Sequence, residues 1–302
     1  MTGFSGKVAV VGVGRTDGFR TPGKTSLQLH AEVSRKALAD AGLGKETVDG
    51  VLTAGCDNPT YTEDVAHSAV FCEYMGFKPR FTYSVDLGTP VFVKMVEIAA
   101  TAIFSGLCRT VLIACAEPTV SAATRRAAVA KMAAFGHPEF ELPFGVSIPA
   151  FYALIASRHM HEYGTTSHQL GRVAVAMRRH AARNPAARFK EPITVDDVLA
   201  SRLIAAPLHL LDCCITTEGG GAFLVTSLEH ARDLRPPPVL ILGTGQGFSH
   251  EHLIGAPSLT TFAPESGSTA YALAGIGPQD VDVAVLYDNF TISVLCQLED
   301  LG

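Results

Sequence analysis

The sequence predicts an α/β protein, built as a sheet with layers of helices. Apolar strand-like runs alternate with stretches of helical periodicity along the 302 residues, and this alternation is typical of α/β folds. The strand-like runs are 7–13, 51–54, 81–85, 110–115, 222–226, 239–242 and 281–286. The helical stretches are about 26–41, 63–75, 90–105, 149–163, 167–182 and 291–300.

The composition fits about two domains or one large domain and argues against several function classes. Hydrophobic residues make up 47% of the chain and charged residues 18%, which excludes a disordered protein. The net charge is −5 without any block of five like charges, so nucleic-acid binding is not expected. No apolar run reaches about 18 residues and the start does not resemble a signal peptide, which predicts a cytoplasmic protein without a membrane span. Seven scattered cysteines without a CxxC pair predict reduced thiols and no metal site.

An internal repeat indicates two similar halves. Residues 41–49 read AGLGKETVD and residues 274–282 read AGIGPQDVD, while VVGVG at 10–14 resembles ILGTG at 241–245. Each copy has a strand ending in Gly-x-Gly, a helix, a glycine-marked turn and a second strand. The alternative is that such joints look alike because glycine often caps helices. Several strands of the second copy are missing, so we expect a longer chain or another polypeptide to complete its sheet.

The segment 83–106 predicts a buried helix that begins at a site. Gly88 permits a tight turn, Thr89 can cap the helix and Pro90 suits its first position. The helix is apolar almost all round, which predicts burial. Its N-terminal amides can stabilise an oxyanion near Gly88 and Thr89, because they carry a partial positive charge. The alternative is that Thr89 serves only as a cap.

Long collinear stretches of the chain resemble the thiolase superfamily, in particular proteins of the sterol-carrier-protein type. These stretches are VAVVGVGRT (8–16), the strand and helix of 83–106, IACAE (113–117), RHMHEYGTT (158–166), RRHAARNP (178–185), SRLIAAPLHLLDCC (201–214), EGGGAFLVTS (218–227) and LYDNFTISVLCQLEDLG (286–302). The resemblance implies a thiolase fold, in which two similar βαβαβ-type halves carry an inserted loop domain. It assigns 1–117 and 221–235 to the N-terminal half, 118–220 to the insertion and 236–302 to an incomplete C-terminal half.

The chain departs from thiolases at the position of their nucleophile. Thiolases carry a cysteine at the start of the buried helix, where this chain has Thr89, and no cysteine lies between Cys72 and Cys108. A threonine hydroxyl has no thiolate fraction and needs a strong adjacent base. The departure therefore argues against acyl-enzyme chemistry.

A second thiolase motif is present in altered form. Its first residue helps to form an oxyanion hole for the thioester in thiolases, and here it is Tyr287, followed by Asp288 and Asn289. A phenol can donate a hydrogen bond to an enolate oxygen or act as an acid or base. The alternative is a buried structural tyrosine bonded to a backbone carbonyl. Asp288 is predicted to cap the following helix, and Asp288 and Asn289 join Gly88 and Thr89 as predicted near-site residues.

The missing cysteine and the tyrosine in this motif together resemble the steroid side-chain retro-aldolases of the thiolase superfamily. The resemblance implies cleavage of a β-hydroxyacyl-CoA into a ketone and a shorter acyl-CoA such as propionyl-CoA. One alternative is a thiolase or acyltransferase with another nucleophile, and a second is a non-catalytic subunit that binds acyl-CoA or lipid. The resemblance also implies a homodimer within a hetero-oligomer that contains a small OB-fold, zinc-ribbon protein.

Coenzyme A enters this interpretation as part of the substrate, and no tightly bound cofactor is expected. Arg183, Arg188 and Lys190 form a basic stretch that can meet its phosphates, although a solvated surface is the alternative. His159 and His161 are predicted to be surface histidines, because positions i and i+2 do not share a helix face. Residues 212–214, Asp-Cys-Cys, are predicted to form a closely packed turn.

Overall fold

The computed structural model describes residues 3–54, 67–85, 91–118, 137, 139–145, 147–234, 237–249 and 259–302. The chain divides into two units, each assembled from segments that are far apart in the sequence. The first unit comprises Met1–Ala123, Thr217–Gly245 and Thr269–Ile276; the second comprises Thr124–Thr216, Gln246–Ser268 and Gly277–Gly302. Within the described ranges, none of the helices has the length and apolar character needed to cross a membrane.

Strands and helices follow one another largely as the sequence predicts. The strands are β1 (Val8–Arg15), β2 (Gly50–Ala54), β3 (Phe81–Val85), β4 (Thr110–Glu117), β5 (Leu203–Ala205), β6 (Leu208–His209), β7 (Gly219–Ser227) and β8 (Val239–Leu240). The helices are α1 (Ser26–Ala41), α2 (His67–Met75), α3 (Val91–Phe104), α4 (Ile148–Tyr163), α5 (Ser167–Ala182), α6 (Val195–Ala200), α7 (Leu228–Ala231), α8 (Ala263–Ala274) and α9 (Thr291–Leu301).

The first unit is organised around a mixed sheet with the strand order β3-β2-β4-β7-β1-β8. Strand β2 is parallel to both of its neighbours, β3 and β4. Strand β7 is antiparallel to β4 and to β1, and β8 is antiparallel to β1. The chain therefore returns, after the segment predicted as an insertion, to the middle of this sheet.

Helices cover both faces of the sheet, and alternate residues of β4 show this. Leu112 and Ala114 pack in one cluster with residues of α1 and α2. Val111 and Ile113 pack in another cluster with residues of α3. Because successive side chains of a strand point to opposite faces, β4 contributes residues to two separate cores, one on each face of the sheet.

Helix α1 lies directly on β1, and the local sequence explains both its limits and its closeness. The helix begins with a capping box, in which the side chains of Thr25 and Gln28 bond to each other's backbone N–H. It ends at Gly42, whose φ of 68° lies in the left-handed region. A Cβ on Gly14 of β1 would collide with the backbone of Val33. The Gly-x-Gly end of β1 therefore serves helix–strand packing.

Helix α3 is buried on one side only, so the predicted burial all round is wrong. Met95 and Ala99 are fully buried against the sheet. Val93 is 62% exposed and Phe104 45% exposed, because among the described residues only the sheet face covers this helix. Gly88 and Thr89, predicted at its start, lie outside the described residues.

The strand predicted at 281–286 is not formed in the described part of the chain. These residues have no assigned strand pairing, and Val283 and Val285 are 79% and 94% exposed. A strand needs a neighbour to take up its backbone hydrogen bonds, and no described segment supplies one here. The apolar pattern alone therefore did not decide the local structure.

A polar pair of imidazoles is buried in the core of the first unit. His30 on α1 and His67 on α2 have ring centroids 4.7 Å apart. His30 Nδ1 lies 2.9 Å from the Ser26 carbonyl oxygen, and His67 Nδ1 lies 3.0 Å from Thr53 Oγ1. Burial lowers the pKa of His30 to about 4 and also lowers that of His67. Both rings are therefore neutral at physiological pH.

The second unit has a helical core in which α9 packs with α4 and α5. Its buried cluster contains Ala153, Ala156, Leu170, Leu208, Phe290, Ile292 and Cys296. The short strands β5 and β6 form an antiparallel pair that adds Leu208 to this cluster. This core fixes the start of α9, where the altered thiolase motif lies.

His159 belongs to this packing, so the prediction of a surface histidine is wrong at that position. The residue is 2% exposed, and its Nδ1 and Nε2 atoms lie 2.7 Å from Thr165 Oγ1 and 2.9 Å from Glu299 Oε2. His161 is exposed, as predicted. The helix face of α4 that carries His159 is turned towards α9, and this tertiary contact cannot be read from helix spacing.

Candidate active site

The turn at 287–290 enters α9 through a set of bonds made by Asn289. This residue is buried, and its Oδ1 atom accepts from the Phe290 backbone N–H at 2.9 Å and from the Ser293 hydroxyl at 2.6 Å. Asp288, which the sequence predicts as the cap, is exposed instead. Since Asn289 holds the start of the helix, Asp288 is left at the surface beside Tyr287.

Tyr287 is held by its backbone while its side chain faces outward. Its backbone N–H donates to Gln297 Oε1 at 3.1 Å, and its carbonyl oxygen accepts from Gln297 Nε2 at 2.8 Å. The residue is 48% exposed. The structure therefore does not match the alternative of a buried structural tyrosine, and it leaves the aromatic ring accessible at a fixed point of the backbone.

Residues 212–214 support this turn from the other side, which the sequence did not reveal. The backbone N–H of Cys214 donates to the Asn289 carbonyl oxygen at 2.9 Å, and Cys213 forms an isolated β-bridge with Phe290. The buried Asp212 accepts from Thr291 Oγ1 at 2.9 Å and from the His209 backbone N–H at 2.9 Å. The predicted packed turn thus holds the start of α9 in place through these hydrogen bonds.

Tyr152 is a site residue that sequence reasoning missed. It lies on α4, and its ring stacks on that of Phe290 with centroids 4.4 Å apart and planes 22° apart. Burial raises the pKa of Tyr152, the Asn289 side chain opposes that shift, and Tyr287 and Cys214 add to it. No local pattern links positions 152 and 287, so only the fold reveals that they are neighbours.

The described cysteines are poor nucleophiles, because the thiolate is the reactive form. Burial raises the pKa of Cys108 to about 12 and those of Cys115, Cys213 and Cys296 to about 11. Burial also raises the pKa of Cys72 and Cys214. In the ranges that the structure describes, no group of three or more His, Cys, Asp or Glu residues could hold a metal ion.

The predicted coenzyme A contacts form an exposed basic loop at the end of α5. Arg183 caps the helix, and Lys190 Nζ donates to the Pro185 carbonyl oxygen at 2.7 Å. The Arg188 guanidinium lies over the Phe189 ring, 5.2 Å from its centroid. The structure brings these three cations onto one loop; their role as phosphate contacts stays a prediction.

Comparisons with known proteins place this chain in a family. A model described as "Thiolase C-terminal domain-like" matches residues 245–302. The chain is 39% identical over its whole length to a "Steroid side-chain-cleaving aldolase" of Thermomonospora curvata, 79% of which is covered. It is also 39% identical, over 99% of its length, to a "17-hydroxy-3-oxo-4-pregnene-20-carboxyl-CoA lyase" of Mycobacterium tuberculosis, again covering 79% of that protein.

A solved structure agrees with these sequence relatives. The "Ltp2-ChsH2(DUF35) aldolase" superposes with a TM-score of 0.84 at 37% identity, covering 99% of this chain and 78% of that chain. The predicted α/β thiolase fold is thereby confirmed. The chain belongs to the thiolase superfamily, and within it to the proteins of the sterol-carrier-protein type.

Proposed function

We propose that the protein is a lyase that cleaves a β-hydroxyacyl-CoA by a retro-aldol reaction, with a steroid side chain as the acyl group. The products are a ketone and a shorter acyl-CoA such as propionyl-CoA. The observation that carries the proposal is the identity of 39%, across the full chain, to relatives named as an aldolase and a CoA lyase. The lack of any cysteine between Cys72 and Cys108 supports it, because a retro-aldol cleavage needs no nucleophile.

The reaction requires two proton transfers and a stabilised enolate. A base removes the proton of the β-hydroxyl, the bond between the α- and β-carbons breaks, and its electron pair passes into the thioester to form an enolate. The β-carbon becomes the ketone, and the α-carbon then takes up a proton. Tyr287 is proposed to donate its phenolic hydrogen bond to the enolate oxygen, since its ring is accessible and its backbone is fixed.

The other predicted roles belong to the same proposal. Gly88 and Thr89, outside the described residues, are proposed to contribute backbone amides, with Asp288 and Asn289 flanking Tyr287. Arg183, Arg188 and Lys190 are proposed to meet the phosphates of coenzyme A. The halves 1–117 with 221–235 and 236–302, with the insertion 118–220, remain the proposed domain organisation.

A small partner protein and a second copy of the chain complete the proposal. The relative of known structure is named as an Ltp2-ChsH2(DUF35) aldolase, and it resembles this chain over 99% of its length. We propose a comparable partner of OB-fold and zinc-ribbon build, in a hetero-oligomer that contains a homodimer of this chain. Co-purification of the two gene products and light scattering would test this assembly.

The test of the activity is a turnover assay with that partner present. A β-hydroxyacyl-CoA with a tertiary steroid alcohol is supplied, and mass spectrometry detects the ketone and the shorter acyl-CoA. Tyr287→Phe keeps the ring but removes the hydroxyl, and should lower kcat by about 10²–10⁴-fold. Tyr74→Phe, at an exposed tyrosine on α2, is the matched control and should leave kcat unchanged.

Two outcomes would contradict the proposal. An acyl group trapped covalently on the wild-type chain would favour an acyltransferase. Tight binding of the CoA ester without turnover, with the partner supplied, would favour a carrier subunit. Wild-type cleavage that Tyr287→Phe leaves intact would retain the lyase but remove Tyr287 from its mechanism.

A further inference from the structure

Positive charge is concentrated at the end of α5 and in the loop that follows it. Residues 178–190 contain no aspartate or glutamate, and their cations are Arg178, Arg179, Arg183, Arg188 and Lys190. The chain as a whole has a net charge of −5. Cations that lie within a Debye length of one another add their potentials, so this loop attracts a group that carries several negative charges.

Hydrogen bonds fold the loop back onto α5. The Asn184 side-chain oxygen accepts from the Ala186 backbone N–H at 2.9 Å, and the Asn184 carbonyl oxygen accepts from the Ala187 N–H at 3.0 Å. Arg178 Nη1 donates to the Glu191 carbonyl oxygen at 2.9 Å, which ties the far end of the loop to the helix. A loop that is ordered in advance loses less conformational entropy when a ligand binds.

Phe189 brings two of the cations to one aromatic ring. The guanidinium carbons of Arg178 and Arg188 lie 5.5 Å and 5.2 Å from the centroid of this ring. Both distances are those of a cation–π contact, in which the negative face of the ring attracts the charge and so offsets part of the repulsion between the two guanidinium groups. Phe189 is itself 48% exposed. The loop therefore holds two guanidinium groups together at an accessible ring.

This arrangement matches the chemistry of the nucleotide end of coenzyme A. A guanidinium group can donate two parallel hydrogen bonds to a phosphate, and a purine base stacks on aromatic rings and on guanidinium planes. The nucleotide end carries the phosphates and the adenine on one ribose, whereas the pantetheine end is uncharged. The phosphate contacts of the proposed function include Arg188 but give no role to Arg178 or Phe189.

We infer that Phe189, with Arg178 and Arg188 held at its ring, recognises the adenosine 3′-phosphate end of the substrate and thereby selects thioesters of coenzyme A over thioesters of pantetheine. The two arginines bind phosphate groups, and Phe189 positions them and contacts the adenine. The inference rests on the proposed function, in which coenzyme A enters as part of the substrate. It adds the residues that distinguish this carrier from a shorter one.

Binding of adenosine 3′,5′-bisphosphate to the intact protein, measured by isothermal titration calorimetry, tests the site without turnover. Phe189→Leu keeps an apolar side chain but removes the ring, and should weaken binding by about 5-fold. Arg178→Ala should weaken it by about 10-fold. Phe189→Tyr retains the ring and should stay within about 2-fold of wild type. The matched controls are Phe140→Leu and Arg172→Ala, at exposed residues of the same unit, and both should bind like the wild type.

Selectivity is measured in the cleavage assay with the same acyl group attached to coenzyme A or to pantetheine. The wild type should show a kcat/KM at least about 10-fold higher for the CoA thioester. Phe189→Leu should raise KM for the CoA thioester by about 5-fold with kcat unchanged, because a contact remote from the reacting atoms stabilises ground state and transition state equally. The pantetheine thioester should react as with the wild type. A purely structural role of Phe189 would affect both substrates alike.

The outcomes separate this inference from the proposed function. Bisphosphate binding that Phe189→Leu and Arg178→Ala weaken, without cleavage by the wild type, would sustain the nucleotide site and reject the lyase. Cleavage by the wild type, with bisphosphate binding absent or within about 2-fold of wild type in both variants, would retain the lyase and reject the site. Inorganic phosphate that binds as tightly as the bisphosphate would also reject the site, because the loop would then attract any anion.

Folding of each variant is checked by circular dichroism melting. If Phe189→Leu is unfolded, Arg178→Ala decides the outcome, since it leaves the ring in place. A wild type that neither binds the bisphosphate nor cleaves the CoA thioester would reject both the site and the lyase.

Discussion

The buried histidine pair of the first unit and the buried acceptors at the start of α9 in the second unit are hydrogen-bonded in opposite ways. In the first unit, the Nε2 atoms of His30 and His67 are buried and have no hydrogen-bond partner among the described residues. In the second unit, Asp212 uses both carboxylate oxygens and Asn289 accepts two bonds at the start of α9. The histidine pair therefore buries nitrogen atoms without partners, whereas the start of α9 buries oxygen atoms that organise the backbone around Tyr287.

The two arrangements have different consequences: one makes stability depend on pH, and the other orders the chain segments around a site. A buried imidazole without an acceptor is stable only in its neutral form. Folding stability therefore falls at low pH, where the imidazole of the unfolded chain becomes protonated. A buried carboxylate or amide that accepts several bonds fixes the chain segments that donate to it. The histidine pair should respond to acid, whereas the start of α9 should respond to loss of an acceptor.

The largest effect is expected from Asp212→Ala. The change leaves the Thr291 hydroxyl and the His209 backbone N–H without their acceptor, so the free energy of unfolding should fall by about 4 kcal/mol. Urea denaturation followed by circular dichroism measures this loss. Asp212→Asn keeps one oxygen for Thr291 and should lose about half as much. A loss below about 1 kcal/mol for the alanine variant would mean that the hydrogen bonds to Asp212 contribute little to the free energy of unfolding.

Acid is the second test, and its sign follows from the lowered pKa of His30. The unfolded chain binds the proton near the ordinary value of 6.5, whereas the folded chain binds it only at about 4. Stability from the neutral imidazole is therefore full above pH 6.5 and is lost as the pH falls towards 4, with a total loss of about 3 kcal/mol. Thermal melts across this range measure the decline.

A matched pair of variants isolates the histidine from the carboxylates that titrate in the same range. His30→Leu removes the buried group, so its melting temperature should fall less steeply with acid than that of the wild type. His161→Leu removes an exposed histidine of α4 and should leave the wild-type slope. Identical slopes in the wild type and His30→Leu would show that the imidazole pair does not control the acid response.

A smaller effect is expected from Gln297→Leu, which removes both bonds to the Tyr287 backbone. Water can replace these bonds at an exposed turn, so stability should change by less than about 1 kcal/mol. The phenol would lose its fixed position, and kcat for the proposed cleavage should fall by about 10-fold. Gln279→Leu, at an exposed residue of the same unit, is the control. An unchanged kcat would mean that the two hydrogen bonds from Gln297 do not position the Tyr287 phenol.

The smallest effect is expected from removing Arg183, Arg188 and Lys190 together by alanine substitution. Exposed charges are screened by solvent and salt, so KM for the CoA thioester should rise by about 3–10-fold with kcat unchanged. The rise should shrink at high salt. Arg172→Ala on α5 is the control, and an equal rise there would point to a general charge effect.

Much of the fold could be predicted from the sequence because its signals are local. The alternation of apolar runs gave the strands β1 to β4 and β7, and glycines such as Gly42 and Gly106 end helices where the pattern places them. The strand at 281–286 could not be settled in this way, because a strand requires a partner. The burial of α3 and of His159 also depended on neighbouring elements.

The candidate site was predictable only in part. Tyr287 was found because the short motif that it begins resembles a motif of the thiolase superfamily, and such a motif is a local signal. Tyr152 and Asp212 carry no such signal, because their partners Phe290 and Thr291 lie far along the chain. Gly88 and Thr89 remain predictions.

The sequence by itself determined the α/β class, the order of most elements, the family and the missing cysteine at position 89. These properties depend on residue type, periodicity and short motifs, which are all carried by neighbouring residues. Only the tertiary structure decided that Asn289 accepts two hydrogen bonds with its side-chain oxygen, and that Asp212 accepts from Thr291 and from the His209 backbone. The physical reason is that a hydrogen bond has a direction, and the direction is set by every donor that the fold brings to the same atom.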